Sequence, residues 1–198
     1  MRLEQPRIPP IKPGDWDDAQ RAVLEPFAKQ NRLYNIYSTL GHNPTALQAF
    51  LAWGGYVLRK TVLVPRAREL VILRVGYLCR AGYEWAQHSR LGQQAGLSAD
   101  ELTRIKIGPS ADEWSDDDRL LLQATDELHH HYFVSDATWQ GLLATLGERS
   151  TMDLIFVVGH YTQVCMILNS FGIQLDAGLT LDPDLAQIAL PVRTTDIA

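Results

Sequence analysis

Signals for the start and end of helices recur along this 198-residue chain, and they constrain its fold more than any other feature. Asn43-Pro44 is typical of a helix N-terminus, because asparagine caps the first turn and proline fits the first helical position. Ser98 and Glu101 have the spacing of a capping box, and Gly147 stands where a helix would stop. Between such signals the apolar residues repeat at helical spacing, and no segment shows the alternation of a β-strand. The sequence therefore predicts an all-α protein.

The predicted fold is a bundle of seven to nine helices in one domain. Residues 1–40 are expected to form an N-terminal arm and helix, 41–175 the helical domain, and 176–198 a C-terminal tail. Four prolines among the first fourteen residues favour an extended arm. Helices are expected near 15–31, 44–58, 66–80, 83–95, 98–106, 115–132, 135–146 and 150–171.

Charge and composition argue against several classes of protein. The 18 lysines and arginines against 23 aspartates and glutamates give a net charge of −5, so nucleic acid and anionic membranes are not expected as main partners. Cys79 and Cys165 form no CxxC pair and no disulfide framework, as in proteins of a reducing cytosol. The first residues lack the apolar core of a signal peptide, and the apolar stretch 154–168 is interrupted by polar residues. The sequence therefore predicts a cytoplasmic protein outside the membrane.

Glu84 and His88 carry the clearest signal of chemistry. They lie four residues apart in a predicted helix, which places both side chains on one face. Glu69 precedes His88 by nineteen residues on an apolar helix, where a carboxylate is costly unless it has a partner or a role. If the two helices pack as a hairpin, two carboxylates around one imidazole form a plausible proton relay. Alternatively, Glu84 and His88 are a solvated surface pair, and Glu69 is an ordinary partner of Arg68 or Arg74.

The segments around these residues have the pattern of a known family. The run over 66–74 is followed by Tyr83-Glu84-Trp85-Ala86-Gln87-His88 and by Ala95-Gly96-Leu97-Ser98. Together they resemble the carboxymuconolactone decarboxylase family, which belongs to the alkyl hydroperoxidase D-like superfamily. The motifs at 42–44, 126–129 and 168–172 resemble its longer-chain branch, so the resemblance covers about residues 40–175.

The resemblance implies an all-α lyase that needs no cofactor, takes a small-molecule substrate of aromatic-compound catabolism, and forms a homo-oligomer (dimer, trimer or hexamer). The family's glutamate and histidine fall on Glu69 and His88. Loss of CO2 from a carboxylated unsaturated lactone would place electrons in the lactone carbonyl, and the enolate would then be protonated. His88 is the expected proton donor, Glu69 orients it or relays the proton, and Glu84 tunes its pKa.

Other residues are candidates for binding the substrate. Arg74 is the expected cation for a substrate carboxylate, with a structural ion pair as the alternative. Tyr83 and Trp85, together with Trp53 and Tyr56, are candidates for an aromatic pocket or for ordinary core packing.

The remaining histidines are not expected to bind a metal. Side chains at 129, 130 and 131 point about 100° apart on a helix and do not converge on one ion. His160 lies in an apolar helix and is predicted to be a core or interface residue, with a pocket role as the alternative.

Two other functions stay open. One is a non-catalytic oligomeric protein that binds a small molecule, and the other is a redox enzyme of the peroxidase type. The peroxidase branch of the superfamily uses Cys-x-x-Cys-x-x-x-His, and this chain has Ala81 and Glu84 where those cysteines would fall. Cys79 would lie on the opposite face of the helix from His88 and is interpreted as a small buried apolar residue.

The missing cysteine pair predicts that the protein has no thiol-dependent peroxidase activity, because there is no resolving cysteine with which a catalytic disulfide could form. The check is turnover of an organic hydroperoxide in the presence of a dithiol reductant. Robust turnover that Cys79→Ser abolishes would contradict the structural role given to Cys79.

Overall fold

The computed structural model describes residues 3–186, and over that range it contains nine α-helices and no β-strand, as the sequence predicts. The helices are α1 Asp18–Lys29, α2 Asn35–Leu40, α3 Pro44–Arg59, α4 Pro65–Leu78, α5 Gly82–Gln94, α6 Ala99–Ile107, α7 Asp116–His131, α8 Asp136–Phe171 and α9 Pro183–Ala186. The first two residues of the predicted arm and residues 187–198 of the predicted tail lie outside this range.

The helix ends follow the capping signals of the sequence. The Asn43 side chain accepts a hydrogen bond from the backbone N–H of Ala46 at 3.1 Å, and Ser98 and Glu101 form the predicted capping box. Gly147 has φ +76° and ψ 170° within α8, so the two helices expected there are one long element with a break at that glycine. The boundaries of these helices are thus set locally, by capping side chains and by the break at Gly147.

The sequence did not predict α2, because its six residues include β-branched and polar side chains and its N-cap Tyr34 supplies no side-chain cap. The helix is anchored instead from a distance. The backbone N–H of Asn35 donates to Asp176 Oδ1 at 2.7 Å, and the Asn35 side chain donates to the carbonyls of Gln174 and Leu175. A tertiary contact therefore starts this helix.

Helix α4 is the centre of the bundle. It packs against α5, α6, α7 and α8, and all residues from Glu69 to Gly76 are buried. The predicted side-by-side packing of α4 and α5 is confirmed. Helix α8 is long and apolar enough to cross a membrane by length and composition, yet its buried residues, among them Leu154, Val157 and Leu168, belong to this core. Its length is therefore weak evidence for a membrane span.

The N-terminal arm is extended and packs on its own chain. The N–H groups of Arg7 and Ile8 donate to the carbonyl of Phe171, and the N–H of Ile11 donates to Ser38. Gly172 has φ +69°, and a Cβ there would lie 3.0 Å from the carbonyl oxygen of Gln5, so the crossing of arm and helix end needs glycine.

Apolar side chains remain exposed on α3 and α8, among them Trp53, Met152 and Met166. Such residues are compatible with the homo-oligomer expected from the sequence, which stays a prediction.

Arg74 fastens the central helix to its neighbours. Its Nε and Nη2 atoms lie 2.6 and 2.7 Å from the two carboxylate oxygens of Asp126 on α7. Its Nη1 donates to the carbonyls of Ile105 and Lys106 at the end of α6. The structural ion pair considered as the alternative is therefore present.

We predict that Arg74→Met lowers the free energy of unfolding by about 3 kcal/mol, because it leaves a largely buried carboxylate and two carbonyls without their partner. Urea denaturation measures this. Lys29→Met, which removes an exposed ion pair with Glu25, is the control and should cost less than about 1 kcal/mol. Equal effects of the two substitutions would contradict a fastening role for Arg74.

Candidate active site

A tight turn between α4 and α5 brings the predicted chemical residues together. Arg80 has φ +54° and α5 begins at Gly82, so the chain reverses within a few residues. A Cβ at Gly76 would lie 3.4 Å from Cγ of Glu84, which shows how closely α5 approaches α4. This approach places Glu69 of α4 beside His88 of α5.

The imidazole of His88 lies between two carboxylates. Its Nδ1 is 2.7 Å from Glu69 Oε2, and its Nε2 is 3.0 Å from Glu84 Oε1. The three side chains are 9% exposed or less. The second contact has the distance of a hydrogen bond but not its alignment, since Glu84 Oε1 is buried without a hydrogen-bond partner among the described residues. Glu69, His88 and Glu84 are called the carboxylate–histidine array below.

The array holds His88 in its charged form. Burial by itself lowers the pKa of His88, but Glu84 and Glu69 outweigh it and raise the pKa to about 10. His88 is therefore an imidazolium at neutral pH, and with both carboxylates ionised the array carries 1 − 2 = −1. His88 is therefore buried and still carries a proton that it can exchange.

The array forms part of the wall of a cavity of about 250 Å³. Glu84 and His88 line this cavity directly, whereas Glu69 lies behind His88 and is not among the lining residues. The other lining residues come from five helices and the α1–α2 loop: Phe27, Arg32, Tyr34, Ile36, Tyr37, Phe50, Leu51, Gly54, Gly55, Leu58, Arg59, Tyr83, Gln87, Arg90, Leu91, His160, Tyr161 and Val164. Most of these are apolar or aromatic, as in a site for a small organic molecule.

The three substrate-binding residues expected from the sequence lie in three different places. Tyr83 lines the cavity and donates a hydrogen bond from its hydroxyl to Asp176. Trp85 lies outside the cavity, in a second depression, with Lys106 Nζ 5.5 Å from its ring centroid. Arg74 is also absent from the cavity wall, because Asp126 and the end of α6 hold its guanidinium elsewhere. The geometry therefore does not support Arg74 as the substrate cation.

His160 occupies the cavity wall as well, although the sequence favoured a core role. It lies between Phe50 and Tyr161, with ring centroids 5.4 and 5.2 Å away. Its Nδ1 is buried without a hydrogen-bond partner among the described residues. A Cβ at Gly54 would lie 3.0 Å from its Nε2, so glycine makes room for the ring. Burial lowers the pKa of His160, which keeps it neutral at pH 7.

Neither cysteine contributes to the cavity. Burial, together with a hydrogen bond to Cys79, raises the pKa of Cys165, and Cys79 Sγ lies 3.9 Å from His129 Nδ1. Neither residue is among those that line the cavity. Over residues 3–186, no group of three or more His, Cys, Asp or Glu side chains is placed to hold a metal ion.

The charge of His88 gives a direct prediction. Because its folded pKa is raised, His88 should remain protonated at pH 8 and release its proton only near pH 10. Its contribution to stability is then complete below its ordinary pKa of 6.5 and is lost as the pH rises through about 10. Nitrogen-15 NMR of the imidazole, assigned with His88→Gln, measures this. An imidazole of His88 that titrates near neutral pH would contradict the claim that the two carboxylates keep it charged.

Comparisons with known proteins agree with this fold and these motifs. Residues 44–107, which include Glu69, Glu84 and His88, match the model of the carboxymuconolactone decarboxylase family. No curated protein matches the sequence significantly.

Three solved structures show the same fold at low identity. An uncharacterised peroxidase-related protein from Silicibacter sp. TM1040 has a TM-score of 0.72 at 15% identity, covering 89% of this chain and 92% of that one. The alkylhydroperoxidase AhpD core of a peroxidase-related protein from Ralstonia eutropha JMP134 also has 0.72 at 15%, covering 86% and 93%. A variant of the debrominase Bmp8 in complex with 2,3,4-tribromopyrrole has 0.69 at 12%, covering 88% and 94%. Over residues 44–107 the chain is thus similar to the carboxymuconolactone decarboxylase family, and its all-helical fold is that of these AhpD-like structures.

Proposed function

We propose that the protein is an enzyme that transfers protons on a small unsaturated acid without a cofactor, in a decarboxylation of the carboxymuconolactone type. The observation that carries this proposal is the array of Glu69, His88 and Glu84, in which His88 and Glu84 line a cavity sized for a small molecule. A charged histidine with a buried carboxylate behind it and a second carboxylate beside it is equipped to give up and regain one proton.

The geometry changes the roles expected from the sequence. Both nitrogens of His88 face carboxylates, so a proton leaving Nε2 meets Glu84 before it meets the substrate. Glu84 is therefore the group that exchanges the proton with the substrate, and His88 is the proton store. Glu69 holds the Nδ1 side of the ring and keeps the imidazolium charged.

The proposed reaction is balanced without an oxidant or a metal. The bond between the substrate carbon and its carboxylate breaks, CO2 leaves, and the electron pair moves into the conjugated carbonyl to give an enolate. The proton from Glu84, replaced from His88, then adds to carbon, and solvent restores the array. Neutral His160 on the same cavity would donate a hydrogen bond to the enolate oxygen, where negative charge develops.

A second candidate is a non-catalytic binding protein. The observation that favours it is that carboxylates already face both nitrogens of His88, as in a purely structural charge network. In that case the cavity would bind its ligand and release it unchanged. The position of Glu84 favours the enzyme, because its carboxylate is paired with His88 and also lines the cavity, where it can meet a ligand.

Thiol chemistry has weaker support than either. The peroxidase-related and debrominase neighbours share the fold with this chain, but no cysteine lines the described cavity. A substrate bound beside Glu84 would therefore meet no thiol.

The proposal predicts that Glu84→Gln, Glu69→Gln and His88→Ala each reduce turnover by about 10²- to 10⁴-fold, the usual range for a general acid or base. The double variant Glu69→Gln/His88→Ala should lose little more than either single variant, because the residues act as one unit. The assay is loss of CO2 from a carboxylated unsaturated lactone that the wild type converts. Glu25→Gln, an exposed carboxylate, is the control and should leave turnover unchanged.

Circular dichroism must show that each variant remains folded. Unchanged turnover by all three single variants, on a substrate that the wild type converts, would place the chemistry elsewhere. If no lactone acid is converted but one binds to the wild type and is released unchanged, the binding protein is the correct alternative.

A further inference from the structure

Three arginines line the cavity without an ion-pair partner among residues 3–186. Arg32 follows α1, Arg59 ends α3 and Arg90 lies on α5, and all three are exposed. Arg66 and Arg74, by contrast, are bound to carboxylates. In a chain with a net charge of −5, uncompensated guanidinium groups around one cavity form a local site that attracts an anion.

The absence of a side chain at Gly55 leaves room for the guanidinium group of Arg59 beside the cavity. Gly55 lines the cavity, and a Cβ at that position would lie 2.9 Å from Nη2 of Arg59. The guanidinium therefore rests directly against the backbone of α3. Its side chain is folded back along the helix toward the cavity.

Tyr37 lines the cavity together with Arg32 and Arg59. Burial raises the pKa of the Tyr37 hydroxyl, and the charges of Arg32 and Arg59 oppose that rise, so both guanidinium groups act on the same hydroxyl. The ring is packed against Phe27, with centroids 4.6 Å apart. Two cations from different segments thus line the same cavity as one hydroxyl whose ring is held in place, and together they can bind the two oxygens of a carboxylate.

The rest of the cavity disfavours an anion. The array carries a net charge of −1, so Glu84 repels a carboxylate placed beside it. Apolar residues, among them Phe50, Leu51 and Leu58, line the same space. The volume of about 250 Å³ lies below the roughly 300–1,000 Å³ of sites for drug-sized ligands. The fitting ligand is a small molecule with one anionic head and an apolar body.

We propose that Arg32, Arg59 and Tyr37 form a carboxylate-binding subsite that orients a small apolar acid with its other end toward Glu84. This assignment depends on the proposed function in one respect only: the end of the ligand beside Glu84 is taken to be the end that reacts. The subsite supplies the cation that Arg74 does not.

The test is binding of benzoate, with neutral benzamide as the matched probe, measured by NMR titration of the full chain. Benzoate should bind more tightly than benzamide, and higher salt should weaken benzoate alone. Arg32→Gln and Arg59→Gln should each weaken benzoate binding about three- to tenfold and leave benzamide unaffected, because the pairs are partly exposed to water. Tyr37→Phe should weaken it less. Arg149→Gln removes an exposed charge away from the cavity and is the control.

Soaking crystals with 4-bromobenzoate tests the orientation, since the bromine should lie at the Glu84 end and the carboxylate at Arg32 and Arg59. No benzoate binding, equal binding of benzamide, unchanged binding in both arginine variants, or an inverted bromine would each overturn the subsite. The binding assay does not depend on turnover. Benzoate binding as predicted, together with normal turnover in the Glu84 and His88 variants, would leave the subsite intact and refute the proposed reaction.

Discussion

The contact between His88 and the carboxylates of Glu69 and Glu84 constrains the structure more than any other. Three ionisable side chains are buried where two helices meet, and an unpaired charge there would cost several kcal/mol. The pairing works only if α4 and α5 are close and in one register. Gly76 and Gly92 permit this, since a Cβ at Gly92 would lie 3.0 Å from Cδ1 of Leu73. The charge network therefore forms only when α4 and α5 pack closely, and that close packing is stable only when the three buried charges are paired.

The remaining helices enclose the space beside that network. Helix α2 supplies Ile36 and Tyr37 to the cavity, and Asp176 holds its first turn in place. The same aspartate accepts hydrogen bonds from Tyr83 and Gln87 on α5. One carboxylate thus joins the segment after α8 to α2 and α5, and the position of the α2 side of the cavity depends on a residue 141 positions away in the sequence.

Most of the fold could be predicted from the sequence because caps, glycines and apolar spacing act over a few residues. The Glu69, Glu84 and His88 group could be predicted for a related reason: one pair is four residues apart on a helix, and the third lies across a short turn. Arg74 could not be assigned, because its partner Asp126 is 52 residues away. The positions of His160, Arg32 and Arg59 depend on how α2, α3 and α8 enclose the cavity, and nothing local in the sequence records that arrangement.

Neutron diffraction from a crystal exchanged into D2O near neutral pH tests the central claim most directly, because it locates the protons of the array. The account predicts deuterium on both nitrogens of His88 and none on the carboxylates of Glu69 and Glu84. A His88 ring with one deuterium, together with a deuterated carboxyl group on either glutamate, would contradict the charged array and the proton store that the proposed reaction needs.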